Sequence, residues 1–280
     1  MTGLVRAELL KLRRRWATWI VLGALIGVTG LIYLVIAISG GGPRQDAAVI
    51  VTRFPGAYGV LNQLVFGLGS LLAIAWAAAL AGSDWTWGTV RVVMARGEGR
   101  VRYVVAKAIA LGLALVVAVL IAYAAGLAFA VLAGTTLGVA PPDPLAPRVS
   151  GGLVQSLALG IPVLLERAAI GFAVAIILRS QLAGVVVGIL LSLGEGILTT
   201  VLVALDFRAG EAAEPGVAWY QLLPFGVGDS LIAAAPGTSG NLGTIFGEPA
   251  PVELAAVLVF AYLAIALGAA ALAAARAEIA

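Results

Sequence analysis

"AIALGLALVVAVLIAYAAGLAFAVLA", residues 108–133, decides the fold class, because these 26 consecutive residues include no Asp, Glu, Lys or Arg. An α-helix of about 20 apolar residues is long enough to cross the hydrocarbon core of a bilayer. The whole chain of 280 residues is similar, with 62% hydrophobic residues, 11% charged residues and a mean hydropathy of +1.09. A soluble domain of this length could not bury so much apolar surface in one core. The sequence therefore predicts an integral membrane protein.

Six runs have this apolar character, and we expect each of them to cross the membrane as a helix. Stretches rich in Pro and Gly, such as GGGPRQD and APPDPLAPR, separate some of them. The first run follows several cations, as in a secretory signal peptide, but it is longer than a typical h-region, so we expect an uncleaved span. We predict an all-α protein with a single transmembrane domain over residues 1–280 and spans near residues 17–39, 60–82, 103–133, 153–178, 182–205 and 252–275.

The cations are divided unevenly between the two sides that six crossings would create. One side would carry both termini, twelve cations and four acids, and the other side four arginines and eight acids. Lys and Arg near span ends are retained in the cytoplasm, and Trp favours the headgroup region. The tryptophans at 16, 19, 85 and 87 all lie at span ends on the basic side. We therefore expect both termini to be cytoplasmic, in the cytoplasmic membrane of a prokaryote.

The chain contains neither His nor Cys. Their absence removes the usual protein ligands of haem, zinc and copper, the thiolate nucleophiles and disulfides. A phosphate-binding loop needs Gly-Lys followed by Ser or Thr, whereas neither Lys11 nor Lys107 follows a glycine. We expect no cofactor and no catalysis in this chain. Nucleic acid would need a larger basic surface that projects from the bilayer, and we expect no such partner.

The N-terminal residues 1–16 have the pattern of an amphipathic helix. Apolar residues recur there at helical spacing on one stripe, at Val5, Leu9, Leu12 and Trp16. This pattern predicts a helix that lies in the headgroup layer before the first span. A retention signal that contacts anionic lipid is a compatible interpretation. The polar and aromatic residues that we expect to meet lipid headgroups are Glu8, Lys11, Arg14 and Trp16.

The segment between the second and third predicted spans, residues 83–102, begins with SDWTWGTVRVVMARGEGR and is strongly basic. A short helix over residues 85–96 would expose an aromatic ring, a thioether, an apolar side chain and a planar cation, which together suit a groove of a protein partner. The side chains on this expected face are Trp87, Met94, Val90 and Arg91. The alternative is that the cations only fix the topology and contact anionic lipid.

The same segment resembles permeases of type-2 ABC exporters. After their second span such permeases carry an acid, a Gly-Thr pair, two arginines and a lysine, and the matching residues here are Asp84, Gly88, Thr89, Arg91, Arg100 and Lys107. The E-x-x-K-x-R-R run at residues 8–14, the six-span layout and WYQLLP at residues 219–224 extend the resemblance over nearly the whole chain. The chain departs from the pattern where glutamate is usual, at Asp84, and where a proline is common, in ARGEGR.

The resemblance implies a permease subunit of an ATP-binding cassette transporter. A short coupling helix would sit in a groove of a separate ATPase subunit, which would bind ATP and Mg. The resemblance also implies a second permease subunit, identical or similar, and export of a hydrophobic or amphipathic substrate such as a drug, peptide or lipid. The residues expected to contact the ATPase subunit are Asp84, Trp85, Trp87, Gly88, Thr89, Val90, Arg91, Met94, Arg96 and Arg100.

Two other functions stay open at this point. One is a non-transporting membrane anchor or scaffold that recruits a cytoplasmic partner through the same basic segment. The other is a membrane enzyme that uses intramembrane carboxylates, although no His, Cys or hydrophilic cluster supports it.

Three charged residues lie inside predicted spans: Glu166, Arg167 and Glu195. A charge at mid-bilayer costs roughly 2.5–3.5 kcal/mol on insertion scales, so each needs a partner. Counted from the short turn at residues 179–181, Arg167 and Glu195 lie at similar depth on adjacent antiparallel helices, and we predict that they pair. Such a pair would fix the helix register; alternatively, Glu166 or Glu195 lines a translocation path.

The longest connection, residues 206–251, contains the apolar segment VAWYQLLPFGVGDSLIAAA at residues 217–235. Pro224 and Asp229 interrupt this segment, and each part is too short to span. Either re-entrant or interfacial half-helices, or an ordinary external loop with two short surface helices, would fit.

Two glycine pairs with a spacing of four, at 23/27 and 184/188, allow close approach between helices. The close neighbour would be a helix of the same subunit or, for residues 23–30, a second subunit.

Overall fold

A computed structural model of the chain describes residues 1–40, 45–95, 99–143, 146–209, 217–238 and 249–276. Within these ranges the chain is helical and has no strand, and six helical segments are long and apolar enough to cross a membrane. The predicted all-α, six-span membrane fold is therefore confirmed. In chain order the α-helices are α1 (Thr2–Arg14), α2 (Trp16–Ser39), α3 (Gln45–Thr52), α4 (Gly56–Asn62), α5 (Gly69–Thr86), α6 (Thr89–Ala95), α7 (Arg100–Thr136), α8 (Pro147–Leu178), α9 (Gln181–Ala209), α10 (Pro224–Ala233) and α11 (Val252–Ala275).

The second span is a composite helix. It runs over Gly56–Thr86 and joins α4 to α5 through a π-helical segment, Gln63–Leu68. A π-helical segment inserts an extra residue into a turn and frequently marks a functional site. The other five spans are α2, α7, α8, α9 and α11.

The second and fourth spans form the centre of the bundle. In each of them 61% of an apolar stretch of 18 residues is buried inside the protein, against 17% in the first span, 6% in the fifth and 22% in the sixth. The core between them is aromatic and aliphatic, with Tyr58, Phe66, Leu164 and Phe172 each at most 2% exposed. The peripheral spans therefore present most of their apolar side chains outward, as expected of helices that face lipid.

The fourth and fifth spans are joined by a turn at Arg179, which caps α8 with a left-handed backbone (φ 52°). The guanidinium of Arg179 lies over the ring of Trp85, 5.7 Å from its centroid. A Cβ added at Gly184 would lie 2.6 Å from the Cα of Ala175, so α8 and α9 approach closely along this glycine.

The two glycine pairs have different surroundings. A Cβ at Gly188 would meet Ile74 at 2.8 Å, so the pair at 184/188 serves packing within the subunit. Gly23 and Gly27 have no atom within 4 Å of an added Cβ and face open space.

The segment between the fifth and sixth spans packs into the bundle. A short 3-10 helix, Trp219–Leu222, precedes α10, and α10 contacts α8, α9 and α11. Val227 is fully buried and Leu231 is 1% exposed. The apolar face of α10 therefore packs against the bundle, whereas Trp219 stays 63% exposed, and the choice between half-helices and two surface helices stays a prediction.

Candidate functional site

One end of the bundle gathers α1, the C-terminus of α5, α6 and the N-terminus of α7; we call it the basic end. Here the second span stops at Thr86, and Gly88 has a positive φ of 68° in the turn before α6. Glycine adopts this conformation without the Cβ clash that other residues incur. The helix predicted over residues 85–96 therefore begins later, at Thr89. Its side chains consequently face other directions than the prediction assumed.

The changed phase alters which side chains of this segment are exposed. Trp87 is 68% exposed, as predicted, and the guanidinium of Arg15 lies 5.5 Å from its ring centroid. Val90 is only 5% exposed, so its predicted place on the contact surface is wrong, whereas Val92 is 56% exposed. Trp85 is half-buried beneath Arg179.

The remaining residues that we predicted to contact the ATPase subunit are either half-buried or not fully described. Gly88 and Thr89 are half-buried, as is Arg100, the first residue of α7. Arg96 lies outside the described residues, and only the backbone of Arg91 and Met94 is described, within α6.

Asp84 is buried in an ion cluster and not on the surface that we predicted for it. It is 3% exposed, the hydroxyl of Tyr103 donates to its Oδ2 at 2.5 Å, and the Nζ of Lys107 donates to the same oxygen. Lys107 is itself 7% exposed. The acid and the lysine of the family pattern thus join the second span to the third inside the protein. Asp84 therefore supports the surface at the basic end and does not form part of it.

The N-terminal helix α1 extends this cluster. Glu8 is buried and accepts a hydrogen bond from Lys11 Nζ at 2.5 Å, and the same nitrogen lies 5.9 Å from the centre of the Tyr103 ring. Arg15 donates to the hydroxyl of Ser83 at 3.1 Å. The corner between α1 and α2 is thereby attached to the end of the second span.

The apolar stripe of α1 packs on the protein. Leu12 is buried and Val5 and Leu9 pack against the core, mainly along α7. Trp16 does not continue this stripe, because Arg15 breaks the helix and Trp16 starts α2 with 83% of its surface exposed. Arg14 is exposed. Glu8 faces the protein and not the lipid headgroups.

The intramembrane charges adopt partners that differ from the predicted pair. Arg167 is 4% exposed and donates to Ser70 Oγ (2.8 Å), to Phe225 O (2.9 Å) and to Asp229 Oδ1 (2.6 Å). Glu195 Oε1 accepts the backbone N–H of Gly226 at 2.7 Å. The predicted Arg167–Glu195 ion pair is therefore wrong, because each of the two side chains instead binds the backbone of the first turn of α10.

Glu166 lies next to Arg167 in the chain but makes no hydrogen bond within this arrangement. It is fully buried, and neither of its carboxyl oxygens has a hydrogen-bond partner among the described residues.

A cavity of about 390 Å³ lies where α9 faces α10; we call it the α10 cavity. A polar stripe at helical spacing on α9 lines one wall together with Gly196, and this stripe comprises Ser192, Glu195, Thr199 and Thr200. Arg167, Asp229 and the exposed Gln63 of the π-helical segment line the rest with neighbouring residues. The cavity thus has charged and hydroxyl groups at the depth of apolar spans.

Several residues of these two clusters were missed by sequence reasoning, namely Ser70, Ser83, Tyr103 and Asp229. Tyr103 lies four residues before Lys107 and hence on the same face of α7, a spacing that could have linked them. Asp229 was noted only as an interruption, and no local pattern assigns it to Arg167, 62 residues away.

Comparison with known proteins supports the same architecture. The family model described as "ABC-2 family transporter protein" matches residues 4–195, which is more than half of the chain. No curated protein matches the sequence. The matched range includes residues 4–14 of α1, the whole of α6, the fourth span with Arg167, and Glu195. With its six membrane-spanning helices, the chain belongs to the ABC-2 family of transporter proteins, as a type-2 ABC permease.

Proposed function

We propose that the chain is the membrane subunit of an ATP-driven exporter of a hydrophobic or amphipathic substrate, and that a separate ATPase subunit docks at the basic end. That subunit supplies the ATP and Mg site. A second permease subunit completes the transporter, in the cytoplasmic membrane of a prokaryote and with both termini of this chain in the cytoplasm.

The observation that carries this proposal is the exposed surface next to the buried ion cluster. Trp87 and Val92 are 68% and 56% exposed, although both are large apolar side chains. The turn that presents Trp87 begins three residues after Asp84, and Asp84 is held by Tyr103 and Lys107 of the third span. A force applied to this surface would therefore reach two spans at once. Exposed aromatic anchors on a rigid support are typical of binding hot spots.

The membrane part of the proposal rests on the α10 cavity. Its volume of about 390 Å³ is in the usual range for small-molecule sites. The polar stripe of α9 gives it polar groups, while the spans around it are apolar, which suits an amphipathic molecule. Gly23 and Gly27 leave a small-residue face open on α2, where the second permease subunit would pack.

Replacing Trp87 by alanine should weaken docking of the ATPase subunit. The loss of an aromatic anchor at an interface typically costs about 2 kcal/mol or more, so recovery of the ATPase subunit should fall at least about tenfold. The measurement is co-purification from the native host in mild detergent, with the ATPase activity of the purified complex as a second readout.

Trp219→Ala is the matched control. Trp219 is also exposed, at 63%, but belongs to the 3-10 helix before α10. It should leave recovery unchanged. If no ATPase subunit co-purifies with the unaltered chain, or if both tryptophan variants behave alike, the docking proposal fails. A partner without nucleotide hydrolysis would instead indicate a membrane anchor.

A further inference from the structure

Arg167 and Glu195 bind opposite ends of a single peptide group. Arg167 donates to the carbonyl oxygen of Phe225, and Glu195 accepts the N–H of Gly226. These two atoms belong to the peptide bond between Phe225 and Gly226, in the first turn of α10. In a trans peptide the C=O and the N–H point in opposite directions. The peptide group therefore lies between the cation and the anion, in the place of a direct ion pair.

The two charged groups are close enough to replace this arrangement with a direct contact. Each hydrogen bond is shorter than 3 Å, and the oxygen and nitrogen of a peptide group are about 2.3 Å apart. The guanidinium of Arg167 and the carboxylate of Glu195 thus lie at most about 8 Å from each other. Both have flexible side chains, and their backbones belong to adjacent helices, α8 and α9, which pack together.

The partners of Arg167 differ in how firmly they are held. Arg167 itself is 5% exposed at the side chain, so it needs a counter-charge in any conformation. Asp229 has a side chain that is 70% exposed and moves with α10. If α10 withdrew, Asp229 would leave with it and find solvent, whereas Arg167 would stay behind next to Glu195.

We propose that Arg167 and Glu195 are exchange partners that control the position of α10. In the docked state, seen in this structure, each binds the Phe225–Gly226 peptide group and Arg167 also binds Asp229. In the withdrawn state Arg167 and Glu195 bind each other, and the α10 cavity opens where α10 lay. The direct ion pair replaces the polar contacts that Arg167 and Glu195 make with α10, so α10 can move without leaving either of these two charges without a partner.

Exchange makes the two acids act in opposite directions. Glu195→Gln keeps an oxygen that accepts the Gly226 N–H, so the docked contact weakens only to a neutral hydrogen bond. It removes the ion pair of the withdrawn state, which is the larger loss because Arg167 then has no hydrogen-bonded acid. The variant should favour docked α10. Asp229→Asn weakens the docked state and leaves the withdrawn pair intact, so it should favour withdrawn α10.

Labelling of a single cysteine on α10 measures its position. The natural chain has no cysteine, and Ser230, which is 8% exposed and lines the α10 cavity, can be replaced by the nearly isosteric cysteine. The full chain carrying Ser230→Cys is placed in lipid nanodiscs and treated with a charged, water-soluble maleimide. Relative to this parent, Glu195→Gln should slow labelling, and Asp229→Asn should accelerate it, each by about threefold or more.

Two further variants complete the test. Glu253→Gln removes an exposed acid at the start of α11 and should not change the rate. Glu195→Asp keeps the charge but shortens the reach to Gly226, so it should accelerate labelling, opposite to Glu195→Gln. A fixed latch without exchange would loosen whenever either acid is changed. Acceleration by Glu195→Gln, or equal rates in the parent and both acid variants, would overturn the proposal, as would slower labelling of Glu195→Asp.

This inference rests on the proposed transport function only in one respect, which is that transport would be the reason why α10 moves. Its readout needs neither substrate nor ATPase subunit. Loss of docking at Trp87 therefore tests the transporter proposal, and the labelling rates test the exchange, independently of each other.

Discussion

Replacing Gly171 by leucine is expected to prevent recovery of folded protein. A Cβ at this position would lie 2.5 Å from the carbonyl oxygen of Ile74 and 3.1 Å from the Cα of Ile74. These are backbone atoms of the second span, so no side-chain rotation can relieve the clash. Overpacking in a core typically costs about 1–3 kcal/mol and more where the backbone must move. We expect the monodisperse fraction in size-exclusion chromatography to fall at least about tenfold.

Gly268→Leu provides the matched control for this prediction. Gly268 lies on α11, and an added Cβ there has no atom within 4 Å. The substitution adds the same side chain to a membrane-spanning helix but should leave the yield near that of the natural chain. Equal losses in both variants would mean that helix propensity or insertion, and not the contact between the second and fourth spans, limits folding.

The second large effect is expected at the buried pair of Asp84 and Lys107. Removing one member leaves the other as an uncompensated charge, which in buried pairs costs about 3–5 kcal/mol. Lys107→Met and Asp84→Leu should therefore each lower the unfolding temperature strongly. The double variant replaces the pair by apolar side chains, which is often neutral or stabilising. It should be more stable than either single variant, as measured by thermal unfolding in detergent.

The double variant also separates support from direct contact. If Asp84 and Lys107 only hold the second and third spans together, the stable double variant should still recover the ATPase subunit, in contrast to Trp87→Ala. Loss of the ATPase subunit from a folded double variant would show that the pair contributes to docking itself. Arg14→Met, at an exposed position of α1, is the control and should change neither property.

The basic end could be predicted from sequence in outline but not in detail. The pattern of acid, Gly-Thr, arginines and lysine located this segment, and the exposure of Trp87 agrees with the prediction. The helix phase did not, because the positive φ of Gly88 starts α6 at a new angle and turns Val90 inward. Burial of Asp84 could not be foreseen either, because it depends on the approach of α7 from 19 residues further along the chain.

The intramembrane site shows the same division. Sequence spacing brought Arg167 and Glu195 to the same region, and the structure places both against one peptide group. The predicted pair was wrong because a third element, α10, lies between them. Its place depends on the connection between the fifth and sixth spans folding back, and helix periodicity in the fourth and fifth spans carries no information about that.

The sequence by itself determined the number of spans, the helical class and the absence of His and Cys chemistry, because these depend on apolar length and composition. Only the tertiary structure decided which charge meets which. Arg167 finds Phe225 and Asp229 across 58 and 62 residues, and Asp84 finds Lys107 across 23. The physical reason is that a buried charge must be satisfied by whatever group packing brings within about 3 Å, and that distance is set by helices far apart in the chain.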